Sequence, residues 1–197
     1  MPVADAAAAA SGFDDELLAT IPNGTIGGQV LDAARHPAPN VVVYVKKGPS
    51  TGKAAAERVV IDQQNKTFLP HVLPIAVGTR VEFKNSDPVL HNVYSRVAAK
   101  TFDLGMFDKS QSKSVVFDRP GRVDVFCSIH TNMHAVILVL ESTAFATTDV
   151  RGFFTIPNLP AGNYRLAIWD EVVAEHEVSV DVAANAPAIV KHELVAQ

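Results

Sequence analysis

Val125-Phe-Cys-Ser-Ile-His-Thr-Asn-Met-His134 holds the only cysteine of the chain, Cys127, with His130 three positions on and Met133 three after that. Ahead of it Gly121-Arg-Val-Asp-Val-Phe126 alternates apolar and polar residues, and behind it Ala135-Val-Ile-Leu-Val-Leu140 is apolar throughout. Both runs have the character of strands, so the stretch predicts a short loop pinned between two of them. A thiolate, an imidazole and a thioether are thereby brought onto one loop.

Thiolate and thioether are soft ligands, and imidazole suits several transition metals. A cysteine with two histidines and a weak axial methionine is the donor set of an electron-transfer copper centre. The second histidine is found upstream, in Val81-Glu-Phe-Lys-Asn-Ser-Asp-Pro-Val-Leu-His-Asn-Val-Tyr94. There Asn85-Ser-Asp-Pro88 marks a turn and His91 follows it directly. The pattern Lys84-Asn85, then His91-Asn92-Val93, then Cys127-x2-His130-x2-Met133 resembles the cupredoxins. Its loop spacing is similar to that of the amicyanins; plastocyanins and azurins have longer loops.

The resemblance implies one type 1 copper held by His91, Cys127, His130 and Met133. It implies that Asn92 ties the two ligand loops together by hydrogen bonding. It also implies that the His130 imidazole reaches the surface within an apolar patch where a redox partner protein docks, with Pro88, Val89, Leu90 and Ile129 able to supply the patch.

Other readings of these residues stand beside this one. Singly, a cysteine is more often a small buried hydrophobe than a ligand. A zinc site could be drawn from His91, Cys127, His130 and His134. Against it, His130 and His134 share a face only on a helix, and the segment is short and flanked by strands. A Cys127–His130 nucleophile lacks an evident orienting third group. Met106 matches no ligand position. His71 is expected to pack beside the site or cap a turn, and His36, His176 and His192 to need no special role. Asp87 and Asp103 read as turn caps or solvated groups. With no paired acid and base and no phosphate-cradling glycine loop, the chain is not expected to be an enzyme.

The 197 residues leave room for one large or two small domains, and 48% hydrophobic residues supply a sizeable core. A net charge of −4 points away from nucleic acid and from anionic membrane surfaces. No apolar run approaches the roughly 20 residues that span a bilayer. Met1-Pro-Val-Ala-Asp-Ala-Ala-Ala-Ala-Ala-Ser-Gly12 lacks the basic and long apolar regions of a secretory signal. Its alanines resemble the surroundings of a signal-peptidase site, and cupredoxins of this type are generally exported. The expectation is therefore a periplasmic protein whose signal is absent from this chain.

Along the chain, 1–23 is read as an Ala-rich, then acidic tether, although Phe13, Leu17 and Leu18 could form one amphipathic helical turn. Residues 24–57 open with Thr25-Ile-Gly-Gly-Gln-Val-Leu31 and, after a Pro-containing turn, Val41-Val-Val-Tyr-Val45. This pair resembles the first hairpin of the carboxypeptidase-regulatory-like domain, a prealbumin-like β-sandwich. That pattern resumes in 142–197, with Gly152-Phe-Phe-Thr-Ile156 and Leu159-Pro-Ala-Gly-Asn-Tyr164. Between them 58–141 carries the strand order of a complete cupredoxin, with Phe102, Leu104, Val116 and Phe117 as core candidates.

The fold expected is all-β: a cupredoxin Greek-key sandwich packed with, or inserted into, a second small prealbumin-like sandwich. The combination resembles exported methylamine-utilisation-like and plastocyanin-like proteins. The function expected is that of a one-electron carrier cycling Cu(II)/Cu(I). A copper-delivery or storage protein and a structural or adhesion module are the alternatives.

Overall fold

Alternation of apolar and polar residues, the signal that dominates the sequence, becomes strand almost everywhere in the computed structural model, which describes residues 12–50 and 58–195. In chain order the strands are β1 (Ile26–Leu31), β2 (Val42–Lys47), β3 (Arg58–Gln64), β4 (Thr67–Leu69), β5 (Val72–Ala76), β6 (Thr79–Asn85), β7 (His91–Val97) and β8 (Lys100–Phe107). They continue with β9 (Ser112–Phe117), β10 (Gly121–Phe126), β11 (His134–Leu140), β12 (Phe145–Thr147), β13 (Phe153–Ile156), β14 (Gly162–Trp169), β15 (His176–Val182) and β16 (Ala188–Glu193). The one helix among the described residues, α1 (Asp15–Leu18), is a single turn. The fold is all-β.

The chain divides into two units, Met1–Thr51 with Ala144–Gln197, and Gly52–Thr143. The second contains β3 to β11, in a five-stranded sheet ordered β5-β11-β10-β7-β8 and a four-stranded sheet ordered β4-β3-β6-β9. Ile61, Phe68, Phe83 and Phe117 from the smaller sheet form one buried cluster with Ile75, Val93, Phe107, Val125 and Ile137 from the larger. Two sheets that each bury one face against the other make a β-sandwich. On β9 the core takes Val115 and Phe117 rather than the expected Val116, because alternate residues of a strand share a face.

Register in the five-stranded sheet decides where the functional residues fall. β10 and β11 pair without a break from Gly121↔Val139 to Phe126↔His134, so Cys127 to Met133 are left as the connecting loop. Antiparallel to β10 runs β7, which meets it at Phe126↔Tyr94 and begins at His91. The start of β7, the end of β10 and the start of β11 therefore gather at one end of the sheet.

The first unit has a three-stranded sheet, β13-β1-β16, and a four-stranded sheet, β12-β2-β14-β15. Ile26, Val30, Val43, Phe154, Leu166, Ile168 and Val190 are among its buried residues. Parallel pairing of β1 with β16 puts Gly28 opposite Val190, where an added Cβ would stand 1.9 Å from the Val190 carbonyl oxygen. Only glycine permits that approach.

The tether expected over 1–23 is corrected for its described part. Asp14 caps α1 by accepting from the Leu17 N–H, and Leu18 and Ile21 are buried in a cluster with Phe153. Burial of a Leu or Ile side chain is worth about 1.5–3 kcal/mol, which offsets part of the cost of ordering the segment. Gln29 holds it further by accepting the Asp14 N–H, and Lys191 pairs with Asp15. Residues 1–11 lie outside the described residues.

His176 and His192 also depart from expectation. They lie on β15 and β16, the edge strands of the two sheets of this unit, and their rings meet edge-on at 5.2 Å. Each turns a buried Nε2 that has no hydrogen-bond partner among the described residues. Burial, with His176 beside it and only partly offset by Glu193, holds His192 below the usual imidazole range. An imidazole whose folded pKa is depressed is protonated first in the unfolded chain. Its contribution to stability is complete above about pH 6.5 and is lost as pH falls through the folded value. Thermal unfolding followed from pH 7 to pH 5 should show the melting temperature of His192→Gln falling less than that of the parent; an equal fall in both would remove His192 as a cause.

Candidate metal centre

Three of the residues singled out by spacing are brought together by the strand ends. Cys127 Sγ lies 3.6 Å from His130 Nδ1 and 3.9 Å from His91 Nδ1, and the two Nδ1 atoms are 3.1 Å apart. His91 is fully buried, Cys127 nearly so, and His130 is half-buried at the rim. A point in the plane of these three atoms stands about 2.1 Å from each, the length of a metal–nitrogen bond and slightly short of a metal–sulfur bond (~2.3 Å). The donor set, one thiolate and two imidazoles, is that of a soft or borderline transition metal. The residues fit such an ion.

Met133 is buried in the same cluster of apolar residues as Cys127. Its N–H donates to the His130 carbonyl, and its own carbonyl accepts the Cys127 N–H. The loop is thus folded back on itself through its backbone. His134 takes a different direction: its ring stacks on Phe126 and its Nε2 lies 2.9 Å from Asp124 Oδ1. The grouped donors are His91, Cys127 and His130, without His134. His71 sets its Nδ1 3.2 Å from the His134 carbonyl.

Asn92 joins the two ligand-bearing segments directly. Its Oδ1 accepts the Ser128 N–H at 3.3 Å, and its Nδ2 donates to Asp103 Oδ1 at 2.7 Å. Asp103 also accepts the Gly105 N–H, and these two bonds hold its carboxyl below the usual carboxylate range. Expected to be a cap or solvated group, Asp103 caps the turn at Gly105 and also braces Asn92 of β7.

Asp87 carries the larger surprise. It is buried, and its Oδ2 lies 2.8 Å from His91 Nε2. The same carboxylate accepts the N–H groups of Asn65 and Lys66 at the tip of the β3–β4 hairpin. Burial pushes the Asp87 carboxyl up, but the hydrogen bonds from Lys66, His91 and Asn65 outweigh it and hold the group below the usual range. Read as a turn residue before Pro88, Asp87 gave no sign of this role. The one available signal was its position four residues ahead of a candidate ligand.

At the open side of the centre, a depression of about 500 Å³ is lined by Asn65, Lys66 and Thr67 of the hairpin and by Ile129, His130, Thr131 and Asn132 of the loop. Partial burial, together with the nearby His91 and Lys66, lowers the pKa of His130. A half-buried imidazole that stays neutral near pH 7 is ready to act as a ligand.

No protein-family model matches the chain, and no curated protein does. Solved structures to which it is similar include a nitrite reductase, a purple cupredoxin and amicyanin. One is a copper-containing nitrite reductase from Thermus scotoductus, 28% identical over 48% of this chain, with a TM-score of 0.41. This chain spans only 25% of that enzyme's length. A purple cupredoxin from Nitrosopumilus maritimus is 26% identical, with 42% of this chain and 98% of that one covered and a TM-score of 0.37. Amicyanin from Paracoccus versutus is 24% identical, with 50% and 97% covered and a TM-score of 0.40.

Replacing Asn92 by alanine removes its bonds to the Ser128 N–H and to Asp103, each worth about 0.5–1.5 kcal/mol net. Urea unfolding of the metal-free protein should show a lower midpoint with an unchanged slope for Asn92→Ala. An unchanged midpoint would mean that Asn92 does not tie the segments.

Proposed function

We propose that the protein is a type 1 copper protein acting as a one-electron carrier, in which His91, Cys127, His130 and Met133 would hold the ion. The observation that carries the reading is the convergence of one thiol sulfur and two imidazole Nδ1 atoms within 3.9 Å of one another. Copper bound there supplies a Cu(II)/Cu(I) couple with little change of geometry. The chain does the rest. β7, β10 and β11 fix the three donors before any ion arrives, Asn92 and the Met133 backbone lock the loop, and burial of His91 and Cys127 keeps bulk water from the sulfur. The 58–141 segment is the copper domain in this reading. Residues 24–57 and 142–197 form a carboxypeptidase-regulatory-like sandwich, and the protein works in the periplasm. No helix of the described residues is long and apolar enough to cross a membrane.

Titration of the metal-free protein with Cu(II), followed by visible absorption, tests the centre. An intense thiolate-to-copper band should grow to one equivalent, bleach with ascorbate and be missing from Cys127→Ser. Tight binding of zinc with no such band from copper would replace the carrier with a storage or structural site.

Docking of a redox partner belongs to the same proposal. Val89, Leu90 and Ile129, beside His91 and His130, are 39%, 50% and 53% exposed, and Pro88 is exposed with them. Apolar side chains left in water around a half-buried ligand suit a transient electron-transfer contact, which is small and weakly held. Leu90→Ser should slow electron exchange with the physiological partner severalfold while leaving the visible band in place, as stopped-flow mixing would report. An unchanged rate would move the docking surface elsewhere.

A further inference from the structure

We infer that Asp87 is the positioning residue of this centre: its carboxylate fixes His91 as the Nε2–H tautomer and locks the imidazole to the β3–β4 hairpin. The role assigned to the metal rests on the copper reading, but the tautomer does not.

Both nitrogens of a neutral imidazole cannot be ligands at once; one carries hydrogen and the other a lone pair. In His91 the choice is made by what each nitrogen faces. Nε2 lies 2.8 Å from Asp87 Oδ2, and both oxygens of that carboxylate already accept backbone N–H groups, so it faces the imidazole as an acceptor. The hydrogen therefore belongs on Nε2. Nδ1, which faces Cys127 Sγ and His130 Nδ1, is left with its lone pair directed at the gathered donors. A carboxylate behind a ligating histidine also raises its basicity.

The carboxylate itself is unable to swing away. Oδ1 accepts the Asn65 N–H at 2.6 Å and Oδ2 accepts the Lys66 N–H at 2.8 Å as well as facing His91. Its own backbone N–H donates to Asn85 Oδ1, and Asn85 Nδ2 donates to the carbonyls of Val89 and Phe107. The turn before His91 is thereby closed from both ends.

The hairpin contributes a constraint of its own. Asn65 and Lys66 form a two-residue loop between Gln64 and Thr67, and both have positive φ, 53° and 56°. Such a tip suits asparagine but not lysine, whose Cβ crowds the backbone in the left-handed region. The two N–H groups given to Asp87 help to hold it there. Lys66 and Asn65 also line the depression beside His130. One buried carboxylate thus sets both the inner ligand and the wall of the outer one.

The experiment uses the metal-free full chain with Asp87→Asn, Asp87→Ala and, as a control on an exposed carboxylate outside the centre, Asp118→Asn. Long-range ¹H–¹⁵N correlation spectra at neutral pH report which nitrogen of His91 carries the hydrogen. The parent and Asp118→Asn should give the Nε2–H tautomer, and Asp87→Asn a mixture or the Nδ1–H form. Loss of ligand presentation at an outer partner costs roughly 10–100-fold in metal affinity. Cu(II) competition against a chelator should show that loss for both Asp87 variants and not for Asp118→Asn. A parent His91 in the Nδ1–H form, or an Asp87→Asn spectrum identical to the parent's, overturns the inference whatever the copper result. If Asp87→Ala does not fold, Asp87→Asn decides alone. The expected tautomer without any thiolate-to-copper band leaves Asp87 as the positioning residue and removes the copper reading instead.

Discussion

Uninterrupted pairing of β10 with β11 is the constraint on which the rest of the centre depends. Six consecutive residue pairs, from Gly121↔Val139 to Phe126↔His134, leave Cys127 to Met133 no choice but to double back within the width of one strand spacing. A slip of one residue would turn every side chain of β10 to the opposite face. Val123 and Val125, now in the sandwich core, would then face outward, and Arg122 and Asp124 would be buried in their place. The hydrophobic pattern thus specifies the register, and the register specifies where the thiol emerges.

His91 is reached from the same sheet by a different route. It is the first residue of β7, placed at the mouth by pairing with β8 through His91↔Phe107 and with β10 through Tyr94. Its own side chain, unlike those on the loop, is surrounded by fixed hydrogen-bonding groups: Asp87 on one nitrogen, the sulfur and the second imidazole on the other. The two halves of the centre are joined by Asn92, which spans from β7 to the N–H after Cys127. Inner ligand, loop and strut are therefore one hydrogen-bonded object mounted on strand ends, which is more exact than a site built on free loops.

Much of this was legible in the sequence because it is local. Alternation announced the strands, and three donor types within one seven-residue loop announced the centre. What escaped depends on approach between distant segments. Asp87 sits beside Pro88 and reads as a turn cap; its function exists only because the Asn65–Lys66 tip folds over it. His176 and His192 meet because β15 and β16 are edge strands of facing sheets, a fact of sheet order that periodicity does not contain. Over residues 12–23 the sequence offered one helical turn but not its anchoring, which comes from the contact of Leu18 and Ile21 with Phe153 and from the bonds of Asp14 and Asp15 to Gln29 and Lys191. Val116 was a simpler misreading, since in a run of two adjacent valines the partner Phe117 decides which one faces inward.

The donors are held by a core that does not depend on them. His91 Nδ1, His130 Nδ1 and Cys127 Sγ are mutual neighbours, with Asp87 committed behind His91. Phe68, Phe83, Phe107, Phe117 and Ile137 carry the sandwich core, to which the loop of the centre adds Cys127 and Met133. In the copper reading an ion would bind to an assembled fold, in contrast to small domains that collapse only around their metal. Binding to the native state alone would add RT ln(1 + [L]/Kd) to stability, about 4 kcal/mol at a thousandfold excess over Kd. Rigidity of the donors in the absence of the ion is also what a one-electron couple needs, because atoms that are already held in place have little to rearrange when the charge at their centre changes.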